Sequence, residues 1–187
     1  MDFLNSIILL TNFIIVPGIT YGSQLALGAI GVTLIYGVLR FANFAYGDLM
    51  AFGTMIVILV TWFLQSKGIT FGLLPTALLA LPVGILLTIA VSLFFDKTVF
   101  EYYRNKKSDP VTFIVVSLGI MFVLNAVVRI IIGPNDINFM DGHKFIMKAR
   151  EFKQMTGLNE GLALKSTQVI TLITTIITCS LLFYFLN

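Results

Sequence analysis

Residues 18–53 read GITYGSQLALGAIGVTLIYGVLRFANFAYGDLMAFG, and this stretch decides the fold. Gly18 to Leu39 is 22 residues without a charge. At about 1.5 Å per helical residue, such a run crosses a hydrocarbon core of about 30 Å. Gly18, Gly22, Ala26, Ala29, Thr33 and Gly37 recur at helical steps, so they stack as one face of small residues against which another helix can pack closely. Arg40, Asn43, Tyr46, Gly47 and Asp48 follow at once, and a second apolar run, Leu49 to Leu64, begins before the chain has room to leave the membrane. Polar groups at membrane depth cost free energy, so they demand a partner or a purpose.

Outward from that stretch the chain stays apolar. Of its 187 residues 58% are hydrophobic and 11% charged, with a mean hydropathy of +0.98. Soluble domains carry about 25% charged residues, so the composition is that of an integral membrane protein in contact with lipid. The 12 Lys and Arg are dispersed between apolar runs, which argues against a nucleic-acid surface and reads as topology signalling. The only cysteine, Cys179, lies inside an apolar run, so an intramolecular disulfide and a Cys-rich metal site are both excluded. The opening MDFLNSIILL carries Asp2 and no Lys or Arg, unlike the positive start of a cleaved signal, and is expected to be mature sequence.

Phe3–Val16, interrupted by Asn5, Thr11 and Asn12 and closed by Pro17-Gly18, is too short to cross alone and is expected to be an interfacial or lead-in helix. The expected spans are Gly18–Leu39, Phe44–Leu64, Leu73–Phe95, Val111–Ile132 and Ser166–Leu186, the opening turn of the second being open to a re-entrant reading. Pro75 and Pro82 are expected to bend the third span, Asp109-Pro110 to start the fourth and Gly133-Pro134 to stop it. Between them lie a short turn at Gln65–Gly72, a polar loop at Asp96–Pro110 and a long mixed-charge loop at Asn135–Lys165. The fold class is therefore an all-α membrane protein, a polytopic transmembrane helix bundle with a single domain over residues 1–187.

Arg40 and four basic residues of Asp96–Pro110 fall on one side, against Lys67 and five of Asn135–Lys165 on the other. The four are crowded into a short loop between two spans, and the positive-inside rule weights such density most. Asp96–Pro110 is thus expected to be cytoplasmic and the amino terminus outside.

Asn43, Tyr46, Gly47 and Asp48 are the candidate site. An amide, a phenol and a carboxylate between two spans can line a polar translocation pathway, with Gly47 admitting a ligand or a backbone closely. The same residues have a local reading, in which Asn43 caps a helix beginning at Phe44, Asp48 favours its positive end, and Arg40 neutralises Asp48 or snorkels outward. The two are compatible, because a capping side chain can also face a path. Elsewhere, Thr167, Thr171, Thr174 and Thr178 form a stripe expected to pack or to bond back to carbonyls, Asn125 is placed to bond across helices, and Arg129 to reach the headgroups. His143 has no second ligand at metal spacing and is expected to be solvated, so no metal site is expected. Phe145–Met155, FIMKAREFKQM, reads as a helix lying on the membrane surface or a small helix within the loop.

No catalytic constellation is visible. The nearest approach to a phosphate loop, Leu164-Lys165-Ser166, lacks the glycine before the lysine, and neither GxSxG nor HExxH occurs. An enzyme is not expected. Small helix faces, proline-bent spans and polar residues at a helix break are instead the makeup of a solute pathway.

The run from Gly18 through LALGAIG and IYGV into NFAYGDLMAFG resembles the amino-terminal signature of the LivH-type permeases of branched-chain amino-acid ABC transporters, where an NFAHGE-like block follows the first long helix. The resemblance continues more weakly through Asp96–Arg104, similar to the family's acidic-basic segment before a Tyr-Arg-Pro-Leu-Arg motif, and through Ser117-Leu118-Gly119, covering essentially the whole chain. Tyr46 stands where the family has His, Asp48 where it has Glu, and Phe100–Arg104 lacks the family's proline. Those departures bear on any role that needs an imidazole or a longer carboxylate.

The resemblance implies a permease subunit of an ABC importer in the cell inner membrane, forming the pathway for branched-chain amino acids. It implies a second homologous permease subunit, two cytoplasmic ATPase subunits that bind the ATP, and an extracytoplasmic solute-binding protein. This chain itself needs no cofactor on that reading. Asn43–Asp48 would lie close to the pathway, and Asn135–Lys165 would be the outer loop nearest the binding protein, the side that charge density also gives. Related urea-type permeases share the block, so urea or another small polar solute is the alternative cargo. In the family a cytoplasmic coupling loop and further spans follow, so these residues are expected to form an incomplete permease. A non-transporting membrane scaffold or assembly subunit, using the glycine face only to hold a neighbour, is the reading from another class.

Overall fold

A computed structural model of the chain describes residues 2–69, 74–135, 139, 145–156 and 160–186; His143, and Leu73 at the expected start of the third span, lie outside them. Among the described residues five helices are long and apolar enough to cross a membrane: Phe3–Leu39, Ala45–Ser66, Ala77–Asn105, Pro110–Ile132 and Ser166–Leu186. The protein is an all-α, multi-pass membrane bundle, and the strands described are one short antiparallel pair. Its surface is correspondingly apolar: Val38 is 81% and Ile130 82% exposed, which suits acyl chains and would be costly in water.

The expected lead-in helix is present but does not end at Pro17. Helix α1 (Asp2–Leu10) passes through a π-helical turn (Thr11–Ile15) into α2 (Val16–Leu39) without a break. In that turn the Val16 N–H bonds to the carbonyl of Thr11, five residues back. The wider turn makes room for the ring of Pro17, which would clash with a carbonyl in a regular helix and has no N–H to contribute.

Two compact units make up the chain. The second, Gly31–Gly72 with Thr76–Asp141, is organised around α3 (Ala45–Ser66), which packs against both α4 (Ala77–Phe95) and α6 (Pro110–Ile132). The α3–α4 contact depends on two glycines. A Cβ at Gly53 would come within 2.6 Å of Thr88 Oγ1, and one at Gly84 would meet Val57 Cγ2 and lie 3.4 Å from the Gly53 carbonyl oxygen. Only Pro82 sits inside α4; Pro75 precedes its N-cap, Thr76, and bends nothing.

The loop expected at Asp96–Pro110 is helical for most of its length. A second π-helical turn (Asp96–Phe100) carries α4 into α5 (Glu101–Asn105). No glycine or proline interrupts residues 95–105, and the Asp96 carboxylate receives two 2.9 Å hydrogen bonds from Arg104, tying together positions two turns apart. The chain then turns through Lys107, in the left-handed region at φ 51°, and Asp109 stands extended before Pro110 opens α6 as expected. Gly133 ends α6 at φ 109°, a conformation open chiefly to glycine. Phe41, Ala45, Phe100, Ile120 and Leu124 form the buried core of this unit. Phe113 stacks on Phe41 at 5.2 Å between ring centroids.

The first unit, Met1–Ile30, Leu73–Pro75 and Gly142–Asn187, joins the start of the chain to its last segments. Strands β1 (Phe145–Met147) and β2 (Leu164–Lys165) pair antiparallel around α7 (Ala149–Thr156), and β2 leads directly into α8 (Ser166–Leu186). The helix expected over Phe145–Met155 is thus only partly present: its second half is α7, while Phe145–Met147 form the strand β1. The Thr171, Thr174 and Thr178 hydroxyls bond back to carbonyls of α8 itself. Asn12, which seemed to spoil an apolar run, clasps the distant loop: its Nδ2 donates to the Gly161 carbonyl at 2.7 Å and its Oδ1 accepts from the Ala163 N–H at 3.0 Å. Asn5 Oδ1 accepts from the Glu160 N–H at 3.4 Å. The amino terminus and this loop therefore lie on one side of the membrane, as an even number of crossings between them requires.

Asn12→Ala removes both bonds of the clasp. At about 1 kcal/mol each, their loss is expected to raise local opening of the 160–165 segment about thirtyfold. Amide exchange at Ala163 should quicken by that factor while exchange in α3 stays unchanged; an unaltered rate at Ala163 would refute the clasp.

Candidate functional site

The site begins where α2 stops. Arg40 takes the left-handed conformation, φ 57°, with its N–H still bonded to the Tyr36 carbonyl at 2.8 Å. Residues 40–44 then run without helical structure until α3 begins at Ala45. Asn43 is not the N-cap the sequence suggested: α3 begins at Ala45 and its cap position falls on Phe44, whose side chain makes no capping bond, while Asn43, one residue earlier, makes a local turn in which its Oδ1 accepts from the Ala45 N–H at 3.1 Å. The Phe44 N–H, left over by the break, donates to Ser117 Oγ at 3.2 Å, and that hydroxyl donates in turn to the Ile114 carbonyl at 2.7 Å.

Ser117 is fully buried and is the eighth residue of the 23-residue α6. At 1.5 Å per residue the break therefore sits about 10 Å inside the helix end. Irregular backbone persists at such depth only when protein surrounds it. Here protein covers one side of it: Phe41 is 8% exposed and Ala45, the first residue of α3, 0%, while Arg40, Ala42 and Phe44 face outward.

The four candidate residues divide between two faces of α3. Asn43, Tyr46 and Gly47 line a cavity of about 490 Å³ with Val32, Thr33 and Tyr36. Asn43 and Tyr46 also border a cleft of about 590 Å³ whose far wall carries Thr88, Ser92 and Asp96. Both are apolar spaces with a few hydrogen-bonding groups, which suits a small solute with a greasy body and a polar end. Tyr46 reaches its place because residue 31 is glycine; a Cβ at Gly31 would overlap the phenol oxygen.

Asp48 turns away from these spaces. Its Oδ1 accepts from Asn125 Nδ2 of α6 at 2.9 Å, and Asn125 Oδ1 accepts from Arg129 Nε at 2.8 Å. Asn125 bonds across helices as expected, whereas Arg129 bends back along α6 instead of reaching outward. Arg40 is not the partner of Asp48: among the described residues the ion pair is Asp96–Arg104. That pair is about half exposed, so its contribution to stability is small. Beyond it, the Lys106 ammonium sits 4.5 Å from the centroid of the Tyr102 ring, and its hydrogen bond to that phenol raises its pKa above the ordinary lysine range.

The small residues of α2 occupy the surface. Gly18, Gly22, Ala26, Ala29, Thr33 and Gly37 are all exposed, and a Cβ added at Gly18, Gly22 or Gly37 would meet no atom. Among the described residues no group of three or more His, Cys, Asp or Glu is placed to hold a metal.

Apolar spans with a helix break between them, beside cavities of solute size, mark a multi-pass membrane protein and are features that a permease requires. Residues 14–186 match the family described as branched-chain amino acid transport system / permease component, and the chain belongs to that family. It is similar to the high-affinity branched-chain amino acid transport system permease protein LivH of Escherichia coli K12, 30% identical over 121 residues, which are 64% of this chain and 38% of that protein. LivH of Salmonella typhimurium is 28% identical over the same lengths. BraD of Pseudomonas aeruginosa, a permease protein of the same kind of system, is 38% identical over 55 residues, 29% of this chain and 18% of BraD. The chain thus spans well under half the length of the curated relatives it matches. No solved structure matches.

Proposed function

We propose that this chain is a membrane-spanning permease subunit of an ABC importer in the cell inner membrane, contributing the pathway for branched-chain amino acids. Its partners on this reading are a second homologous permease subunit, two cytoplasmic ATPase subunits that bind the ATP, and an extracytoplasmic solute-binding protein. The chain performs no catalysis and carries no cofactor. The observation that supports it best is the break at residues 40–44, which puts the Asn43 amide and the Tyr46 phenol beside cavities within the bilayer-crossing bundle. A solute crossing lipid needs groups there to replace water, and discontinuous helices are a common way of supplying them. The cargo on this reading is that of the systems to which LivH and BraD belong. The Asp96–Pro110 end faces the ATPases, the Asn135–Lys165 loop faces the binding protein, and the small-residue face of α2 seats a neighbouring helix.

Expression with its partner subunits in cells lacking branched-chain uptake is expected to restore leucine transport. Asn43→Ala should lower the rate at least tenfold while the subunits still copurify. Uptake of urea in place of leucine would transfer the cargo to the alternative, and copurification with no uptake of either would favour a scaffold.

A further inference from the structure

The hydrogen-bonded ladder Asp48–Asn125–Arg129 is unexplained by the cavities, because it lies on a different face of α3 and crosses to α6. Asn125 and Arg129 are exposed on the surface of the chain, and Asp48 is half-buried. Both helices are membrane spans. A carboxylate, an amide and a guanidinium facing acyl chains would be heavily penalised, and mutual bonding only partly relieves this. Snorkelling does not remove the difficulty, since the Arg129 Nε is held by Asn125, one turn deeper in α6.

α6 has a separate flank for lipid. At about 100° per residue, Phe122 and Arg129 fall within about 60° of Asn125, while Val123 and Ile130 fall about 140–160° away from it. Val123 and Ile130 are 53% and 82% exposed and wholly apolar. One helix thus presents an apolar surface and, on its other side, a surface carrying an acid-amide-base chain. Among the described residues the Arg129 guanidinium makes one hydrogen bond, so its terminal nitrogens are left for water or for a carboxylate.

We propose that Asp48, Asn125 and Arg129 line a water-filled stretch of the solute's route, the ladder offering hydrogen-bond partners to the polar ends of a zwitterion. This rests on the proposed function only for what passes; that the face is wet stands on its own. With Cys179→Ser as background, Asn125→Cys, and Phe122→Cys, which leaves the ladder whole, are treated in native membranes with a charged, impermeant methanethiosulfonate. Val123→Cys and Ile130→Cys serve as comparisons. Both ladder-side positions are expected to react at least tenfold faster than the two comparisons, and the reaction to stop leucine uptake. Equal rates at the four positions overturn the proposal, as does fast labelling that leaves uptake intact. Should the assembled protein carry no leucine at all, the proposed function falls, and the four rates still decide whether this face meets water.

Discussion

Gly84→Leu is expected to lower the thermal midpoint of the detergent-solubilised protein by about 6–12 °C, the counterpart of about 3 kcal/mol in a chain of this size. Gly84 faces the backbone of α3 at Gly53 and the side chain of Val57. A single methyl at residue 84 needs only a shift of Val57, so Gly84→Ala should cost much less. A leucine has no such remedy, because the Gly53 carbonyl belongs to a helix that cannot yield without giving up its contact with α6. The ranking Gly84→Ala milder than Gly84→Leu, read by thermal unfolding and by the fraction of monodisperse protein, is the test. If Gly84→Leu unfolds at the wild-type temperature, α3 and α4 do not approach as described.

Asp48→Ala is expected to reduce leucine uptake by the assembled transporter more than tenfold, and Asp48→Asn to retain a substantial part of it. In Asp48→Ala the Asn125 amide loses its acceptor on α3, a bond to a charged group worth about 1.5–3 kcal/mol. Arg129, bonded through the same amide, is then free to swing away. Asp48→Asn keeps an oxygen where Asn125 donates, so the ladder survives without the charge. Vesicle uptake normalised to copurified complex separates the outcomes. Equal loss in both variants would show that the carboxylate's charge is needed, and no loss in either would remove the ladder from transport.

The spans were legible because length and apolarity are themselves the physical requirement for crossing lipid. Errors arose where a local stop signal was overridden. Pro17 looked terminal, yet a π-helical turn absorbs a proline; Asp96 looked like the start of a loop, yet its carboxylate is matched by Arg104 two turns on within a helix. Asn43 was half legible: a short polar side chain beside a helix start does serve a nearby N–H, here that of Ala45, but the helix starts one residue later than expected and the cap position falls on Phe44. The partner of Asp48 was not, since it lies 77 residues away and spacing along one helix says nothing about which helix stands beside it. The glycines that set close packing, Gly53 and Gly84, escaped notice through the pull of the longer small-residue face on α2. The available signal was that Gly84 is the one glycine of α4.

The unbroken helix at the start of the chain has a consequence for thickness. Phe3–Leu39 is 37 residues, about 55 Å of rise, against a hydrocarbon slab of about 30 Å. Tilting alone does not absorb the surplus, so the end bearing Asn5 and Asn12 stands at or above the headgroups and holds the 160–165 segment there. The height of that segment over the lipid is then set by a protein ruler, and bilayers of different thickness will change how far it projects.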